Sequence, residues 1–377
     1  MKKIISRNQK IVIAAIGIII MLVLFSTKDF SKPLEELDIP NCIGWDIEKE
    51  VDNNIRYTIP INVFIYKNYT QSGTVVHSGS GKDLAETRID RQRRSNKIFL
   101  LGTERVNIIS EKTARYGIEQ LDNILFSNPL INDNHITIVC EGKAEDIMKY
   151  QSKEYSSPGE YLEGLVENMQ NYSFYSDNYK AIDIMVRQKA EGRSISLPYV
   201  IINDGKLQID GMAIFKKDKM IGKLNIKDAA LLNILKEDGV RGALSIDDSS
   251  NNSISYEAVT KKKVKCVKNK DTGKYEYTIN IEFNGNITSN TLYKGLLTNP
   301  KVQEKFQEDM ENKIETRCNY FIEKMQKEYK TDLLELGRFS AAKYGRNKEK
   351  DWDEVVSNSK IKVIAEVKIK LLNRSEY

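Results

Sequence analysis

Histidine and cysteine, on which most metal sites and acid–base sites rely, are scarce in this chain. The sequence holds two histidines and four cysteines among 377 residues. His77 and His135 fall in stretches typical of strands or strand ends, which favours a structural role for both imidazoles. The cysteines are Cys42, Cys140, Cys266 and Cys318. Without a CxxC or CxxxC pair, we predict buried free thiols and no metal site; a disulfide of undecided pairing is the alternative outside the cytoplasm.

The segment HSGSGKD (residues 77–83) has the composition of a phosphate-binding loop but not its spacing. The pattern GxxxxGK[ST] needs a glycine where Val76 stands and a hydroxyl where Asp83 stands. We predict a flexible turn that leads into a helix. Acidic pairs such as Glu35–Glu36 and Asp247–Asp248 lie in polar connectors, and no G-x-S-x-G elbow occurs. The sequence therefore predicts no catalytic residue and no cofactor, and the protein is expected not to be an enzyme.

Two basic clusters, RIDRQRRSNK (residues 88–97) and KKKVKCVKNK (residues 261–270), are candidate contacts with an anionic surface. Their candidate residues are Arg91, Arg93 and Arg94 in the first, and Lys261, Lys263 and Lys265 in the second. In the second run Lys261, Lys263 and Lys265 alternate with other residues, among them Val264, a pattern typical of the solvent-facing side of a strand. A solvated face is the simpler interpretation, and contact with anionic lipid or cell-wall polymer is the alternative.

The charge distribution argues against nucleic acid as a partner. The formal net charge is +5, and Lys2, Lys3, Arg7 and Lys10 alone contribute four positive charges. The remainder of the chain is therefore close to neutral, whereas nucleic-acid-binding domains carry a concentrated basic surface.

An apolar segment near the start of the chain predicts a membrane anchor. Between Lys10 and Lys28 lie 17 uncharged residues, nearly all aliphatic. As a helix this segment spans about 25 Å, and the flanking lysines can extend outward to match an apolar bilayer core of about 30 Å. The predicted anchor residues include Ile11, Ile16, Ile20, Leu24 and Phe25.

The residues around this segment predict its orientation and its permanence. The following LFSTKDF lacks the small-residue pattern of a signal-peptidase site, so we expect no cleavage. Four cations precede the segment, which places the N-terminus in the cytoplasm. The sequence therefore predicts a single-pass protein of the cell membrane with most of the chain on the exterior face.

The exterior part shows both strand and helix periodicity. Residues 55–65 alternate as a half-buried strand does, and Pro60 within them predicts an edge or a bulge. Residues 254–266 and 275–283 predict a hairpin, and residues 361–371 predict a closing strand. Apolar residues at spacings of four and seven predict one long helix over 299–334.

These patterns predict an α+β fold: an N-terminal transmembrane helix followed by two to three mixed domains, in which mostly antiparallel sheets pack against helices. We place the cytoplasmic segment and anchor at residues 1–30. An N-terminal exterior region of one or two subdomains follows at 31–204, and a C-terminal α+β domain occupies 205–377.

Three segments, in this order, resemble one known family. They are residues 98–148, with the helix motif ARYGI and the later AEDIM; residues 211–232, beginning GMAIF; and residues 331–355, TDLLELGRFSAAKYGRNKEKDWDEV. They are similar to the C subunit of Ger-type spore germinant receptors. Each is a core-and-turn pattern and none is a chemical motif, so the resemblance rests on their order along the chain.

The resemblance implies a non-enzymatic subunit that acts in nutrient-triggered germination with A- and B-type subunits at the spore inner membrane. An exterior solute- or cell-wall-binding membrane-anchored protein is the alternative. The chain departs from the family at its anchor, because members usually carry a lipid-bearing cysteine directly after the apolar run. Here the nearest cysteine is Cys42, well beyond that run. We therefore expect the apolar helix to replace the lipid.

Overall fold

The alternating segment at residues 55–65 forms a strand, as predicted, and this strand belongs to the larger of two sheets.

The computed structural model describes residues 7–26, 33–49, 54–67, 70–121, 130–152, 154–248, 251–296, 298–347 and 350–372. A helix, α1, covers Arg7–Ser26, and a short 3-10 turn at Leu34–Glu36 precedes the first strand.

The first sheet combines antiparallel edges with a parallel centre. Its strands are β1 (Leu37–Lys49), β2 (Ile55–Lys67), β3 (Thr70–Gly81), β4 (Ile98–Phe99), β5 (Val106–Ser110), β6 (Ile136–Cys140), β7 (Ser196–Asn203), β8 (Lys206–Lys216) and β9 (Lys219–Asn225). Their order is β3-β2-β1-β5-β6-β7-β8-β9, with β4 paired to β1. The pairs β1–β5, β5–β6 and β6–β7 are parallel.

Most of the described strand pairs are antiparallel, as predicted, but the parallel centre of the first sheet was not predicted. Parallel neighbours need crossover connections, and several of these connections contain helices. The helices of this region are α2 (Leu84–Gln92), α3 (Glu111–Tyr116), α4 (Ala144–Met148), α5 (Pro158–Tyr172) and α6 (Ala181–Lys189). Alternating side chains of the central strands reach two cores: Ile108 and Ile138 face one, and Ile109 and Val139 face the other.

Pro60 lies in an interior strand, so the predicted edge or bulge at this position is wrong. β2 pairs with both β1 and β3, and Pro60 stands opposite Ser78 of β3. On the β1 side Ile43 pairs with Ile61 and Asp46 pairs with Thr58, and the ladder is interrupted between these pairs, where Pro60 lies. A proline tolerates this gap because it has no N–H to donate to the ladder.

The predicted flexible turn at residues 77–83 is also wrong for most of its length, because His77–Gly81 belong to β3. The glycines have a packing role: a Cβ atom on Gly79 would overlap the carbonyl oxygen of Thr87 in α2. Asp83 then begins the helix by accepting a hydrogen bond from the Glu86 N–H at 2.8 Å.

The second sheet is also mixed. Its strands β10 (Arg241–Asp247), β11 (Ser253–Lys268), β12 (Tyr275–Asn290) and β13 (Lys360–Leu372) lie in sequence order. β11 and β12 form the predicted hairpin, whereas β13 lies parallel to β12 because the chain returns through helices before it. The helices of this half are α7 (Ile226–Lys236), α8 (Pro300–Lys324), α9 (Leu336–Tyr344) and α10 (Trp352–Ser357).

The long helix ends before residue 334, where we predicted its end. α8 continues as a π-helical turn over Met325–Tyr329, and Lys330 then adopts a left-handed conformation with φ of 48°. A left-handed residue cannot continue a right-handed helix, so the chain leaves the helix there. The predicted inner stripe is confirmed at its centre, where Phe306, Met310 and Ile314 are buried.

One hydrophobic core connects the two sheets. It extends from Ile108 in the first sheet to Tyr256 and Phe283 in the second, and it includes Phe306 of α8. The first sheet continues through Asn225, beyond the boundary that we placed at residue 204. The division into domains stays a prediction.

Polar side chains of α8 cover the outer edge of β13, which is the last strand of its sheet. Glu315 accepts a hydrogen bond from the Ala365 N–H at 2.9 Å, and Glu311 accepts one from the Val367 N–H at 2.8 Å. Gln307 donates to the Val367 carbonyl oxygen at 2.6 Å. An uncovered edge strand is a template for pairing with another chain, so these contacts protect the sheet.

We expect the double substitution Glu311→Ala/Glu315→Ala to lower the free energy of unfolding by about 1–3 kcal/mol and to promote self-association. The reason is that two backbone N–H groups at a strand edge lose their acceptors. Chemical denaturation and light scattering measure the two effects. The control Glu304→Ala/Glu308→Ala removes the same charge from exposed positions of the same helix. Equal effects of the two double variants would contradict the edge-covering role.

Candidate functional site

An open cleft of about 1120 Å³ lies between the first sheet's region and the helices that precede β13. One wall consists of the end of α6, the loop that leads to β7 (residues 186–195) and the β8–β9 turn. The opposite wall consists of Thr331, Asp332, α9 and the start of α10. Residues 331–355, one of the segments that carry the family resemblance, thus form one side of the cleft.

A close backbone approach fixes the distance between the walls. Gly192 has a φ of 66°, and a Cβ atom there would overlap the Arg338 N–H group of α9. Glycine adopts this left-handed conformation without steric cost and leaves room for the helix. Arg193, which follows Gly192 in the sequence, and Arg338, which Gly192 contacts, therefore both lie at the floor of the cleft.

Glu335 is the centre of a buried charge cluster beneath this floor. Its carboxylate is about 2% exposed, and Arg187 Nη1 and Lys236 Nζ lie 3.2 and 3.5 Å from its Oε1. Arg338 Nη1 and Arg193 Nη1 lie 3.5 and 3.6 Å from its Oε2. Burial acts to raise the pKa of Glu335, but the charges of Lys236 and Arg187 outweigh it and the pKa is lowered.

Two lysines contribute to the cluster: Lys236 is buried and Lys262 is half-buried. Lys236, at the end of α7, donates to the Ser194 carbonyl oxygen at 2.9 Å and to Ser196 Oγ at 3.1 Å. Burial, followed by the charge of Arg187, lowers the pKa of Lys236 to about 8. Lys262 on the inner side of β11 donates to the Leu235 and Lys236 carbonyl oxygens, and burial lowers its pKa to about 8 as well.

Asp332 organises the start of α9 at the cleft wall. Its carboxylate accepts hydrogen bonds from the Leu336 N–H at 3.0 Å and the Gly337 N–H at 2.6 Å. The helix needs this acceptor because Glu335, directly before it, is left-handed and makes no side-chain cap. Burial raises the pKa of Asp332 to about 7, against the lowering effect of these hydrogen bonds.

An aromatic group holds the outer part of the same wall. The Lys350 ammonium lies 4.4 Å from the centroid of the Tyr275 ring and 4.7 Å from that of Trp352. The Trp352 indole donates to Glu191 Oε1 of the opposite wall at 2.6 Å. The cation–π contacts hold this wall together, and the hydrogen bond to Glu191 connects it to the opposite wall.

The three arginines of the first basic cluster differ in their surroundings. The Arg91 guanidinium lies 4.9 Å from the centroid of the Phe99 ring, and burial lowers its pKa to about 10. This inward position makes Arg91 a poor contact for an external surface. Arg93 is exposed at the C-terminus of α2, and Arg94 is paired with Asp90 at 2.8 Å.

The lysines of the second cluster lie on the solvent-facing side of β11, as the alternation predicted. Lys261, Lys263 and Lys265 are exposed and stand beside Glu282, Asn280 and Thr278 of β12, respectively. Their role as contacts stays a prediction. Neither basic cluster lines the cleft.

All five predicted anchor residues fall within the bounds of α1, Arg7–Ser26. Ile16 and Ile20 are exposed, with relative accessibilities of 52% and 54%. Ile11, Leu24 and Phe25 also fall within α1, but their side chains lie outside the described residues. Across the described part of the chain, no helix has both the length and the apolar character needed to cross a membrane.

The cysteines and His135, which the sequence singled out, lie in the interior of the protein. All four cysteines are buried free thiols, as predicted. His135 is buried in the first region, and burial lowers its pKa to about 4. Within the described ranges, no group of three or more histidine, cysteine or acidic side chains could hold a metal ion.

The buried charge cluster was missed from the sequence. Its members come from α6, the loop before β7, α7, β11 and the residues at the start of α9, so no local spacing connects them. One signal was available: Glu335 interrupts the apolar run of Leu333, Leu334 and Leu336, and a charge inside such a run is rarely buried without a partner.

Comparison with known proteins identifies the family. A family model described as "Spore germination protein N-terminal domain" matches residues 31–202. A second, described as "Spore germination B3/GerAC like, C-terminal", matches residues 210–372. The chain belongs to the GerAC-like family of spore germination proteins. The resemblance seen in the sequence is thereby confirmed.

Two relatives of this GerAC-like chain differ in how much of their length is matched. Spore germination protein GerQC of Bacillus cereus is 25% identical over 346 residues, which cover 90% of this chain and 93% of GerQC. Putative spore germination protein YfkR of Bacillus subtilis (strain 168) is 25% identical over 183 residues, 45% of this chain and 42% of YfkR.

The crystal structure of the GerBC protein shares the fold. It superimposes with a TM-score of 0.53 at 18% identity, and the match covers 87% of this chain and 97% of GerBC. The mixed α+β class predicted from the sequence is therefore confirmed for this GerAC-like protein.

The lowered pKa of Lys236 predicts a pH dependence of stability. Between its folded pKa of about 8 and the ordinary value of 10.5, the unfolded chain binds the proton and the folded chain does not. The contribution of Lys236 to stability is therefore fully present above about 10.5 and is lost as the pH falls to about 8. We expect Lys236→Met to flatten the rise in the free energy of unfolding between these pH values.

Denaturant unfolding at a series of pH values measures this effect. Lys227→Met is the matched control, because Lys227 lies on the exposed side of the same helix. If the two variants follow the same pH profile, the cluster does not hold Lys236 as described.

Proposed function

We propose that this chain is a non-enzymatic, membrane-anchored subunit of a spore germinant receptor, which acts in nutrient-triggered germination together with A- and B-type subunits. The single observation that carries the proposal is that two successive spore-germination family models match residues 31–202 and 210–372. The names of GerQC and YfkR as spore germination proteins support it.

The proposed place of the chain is the spore inner membrane, with the two sheets on the exterior face. Its support is the uncharged run between Lys10 and Lys28, with four cations before it. Attachment to the membrane confines the exterior part to two dimensions and so raises its effective concentration near the other subunits.

Deletion of the gene should abolish germination in response to one class of nutrient, and expression of the full chain should restore it. The fall in optical density of a spore suspension after addition of single nutrients measures the response. The control is germination by nutrients that other receptors sense. An unchanged response to every nutrient would contradict the proposal.

A helix exchange tests the anchor separately. We expect a chain without residues 11–25 to appear in the soluble fraction and to fail in the deletion strain, because its exterior part is no longer held beside its partners. A chain in which an unrelated apolar helix of equal length replaces these residues should restore membrane fractionation and germination. Full activity of the anchorless chain would contradict the role of this segment.

The exposed lysines of β11 provide a candidate contact with the anionic membrane surface. In full chain reconstituted in vesicles, we expect Lys261, Lys263 and Lys265 to be acetylated more slowly when the lipid is anionic than when it is zwitterionic. Salt at about 0.5 M should remove the difference, because screening shortens the range of the attraction. The exposed lysines of α8, Lys301 and Lys305, serve as internal controls in the same mass-spectrometric measurement. Equal rates in both lipids would leave a solvated strand face.

The alternative, an exterior solute- or cell-wall-binding protein, is favoured by one observation, the open cleft of about 1120 Å³. Saturable binding of amino acids or wall fragments to the full chain, combined with normal germination of the deletion strain, would support this alternative over the receptor subunit.

A further inference from the structure

Two guanidinium groups at the floor of the cleft have hydrogen-bonding capacity that the chain does not use. The side chains of Arg193 and Arg338 are 31% and 33% exposed, and among the described carboxylates each is ion-paired with Glu335, at 3.6 and 3.5 Å. Among the residues that the structure describes, neither group donates a hydrogen bond. Arg338 lies 4.8 Å from the centroid of the Phe339 ring, and this stacking occupies its face and leaves its N–H edge available.

The aspartates on the wall that also carries Arg338 are, by contrast, occupied as acceptors. Asp332 accepts from two backbone N–H groups of α9, and Asp353 accepts from the Asp332 N–H at 2.8 Å. Asp351 accepts from the N–H groups of Asp353 and Glu354 at 3.0 and 3.2 Å. The hydrogen-bonding groups left available at the floor of the cleft are therefore donors, the N–H groups of Arg193 and Arg338.

The charges below the floor are also unequal. Among the ion pairs of the cluster, four cations, Arg187, Arg193, Lys236 and Arg338, meet two carboxylates, Glu237 and Glu335. More distant carboxylates, such as Asp183 near Arg187, also act on these cations. A positive excess in a poorly solvated place is unfavourable unless an anion approaches it.

We propose that Arg193 and Arg338 bind a small oxyanion, the carboxylate or phosphate group of a solute that enters the cleft. A guanidinium presents paired N–H donors in a planar fork, which matches the two oxygens of either group. A cleft of about 1120 Å³ accommodates a small solute around such a group.

The position of the pair gives the site a structural consequence. Arg193 belongs to the loop before β7 of the first sheet, whereas Arg338 belongs to α9, which packs beside β11 of the second sheet. A bound anion contacts both regions and strengthens their association. The site does not depend on the proposed role in germination.

Titration calorimetry of the purified full chain in detergent tests the proposal, with inorganic phosphate and succinate as separate probes and sodium chloride of equal ionic strength as the blank. We expect saturable binding of at least one probe above the blank, and the two arms distinguish phosphate from carboxylate recognition. The variant Arg193→Lys/Arg338→Lys keeps both charges beside Glu335 but loses the planar forks, so we expect at least a tenfold loss of affinity.

The control variant is Arg105→Lys/Arg115→Lys, whose arginines are each paired with a glutamate outside the cleft. It should bind as the unmodified chain does. Absence of saturable binding by both probes, a loss of less than twofold in the cleft variant, or an equal loss in the control would overturn the proposal.

A measurement on the unmodified chain covers the case in which the cleft variant does not fold. Phenylglyoxal modifies accessible guanidinium groups, and peptide mass spectrometry locates the modification. The bound probe should protect Arg193 and Arg338 while Arg105 and Arg115 react as before. Unchanged modification of Arg193 and Arg338 at saturating probe would overturn the site.

Discussion

The carboxylate of Glu335 is the point at which the regions of the two sheets meet. It is almost fully buried, and four cations from different elements surround it at 3.2–3.6 Å. A buried charge without partners is strongly unfavourable, so these cations and this carboxylate require each other. The loop before β7, the end of α7 and the start of α9 are therefore held in a single arrangement.

This constraint explains local features that would otherwise be unfavourable. Glu335 has a φ of 56° and does not cap α9 with its side chain. The helix is instead begun by Asp332, whose two oxygens accept from backbone N–H groups of the first turn. The left-handed backbone at Glu335 thus directs its carboxylate into the cluster while a second acid satisfies the helix.

The same arrangement creates the cleft. The halves share one hydrophobic core and touch closely at Gly192 and Arg338, but their walls diverge above this contact. An interface that is apolar in its depth and charged at its floor is a suitable place for a solute or a partner to influence how two regions sit together. The boundary between the two family models, at residues 202–210, falls inside the first sheet, so the C-terminal match contributes strands to both sheets.

The sequence by itself determined the elements with strong periodicity: the β2 strand, the β11–β12 hairpin, the inner stripe of α8 and the exposed lysines of β11. These follow from alternation or helical spacing, which a linear pattern contains. The sequence also determined the family, because three core-and-turn segments similar to the family occur in the same order along the chain. Only the tertiary structure decided the parallel centre of the first sheet and the end, at Tyr329, of the π-helical turn that follows α8. The charge cluster was decided there too, because Arg187, Lys262 and Glu335 are far apart in sequence and become neighbours only through the packing of both halves.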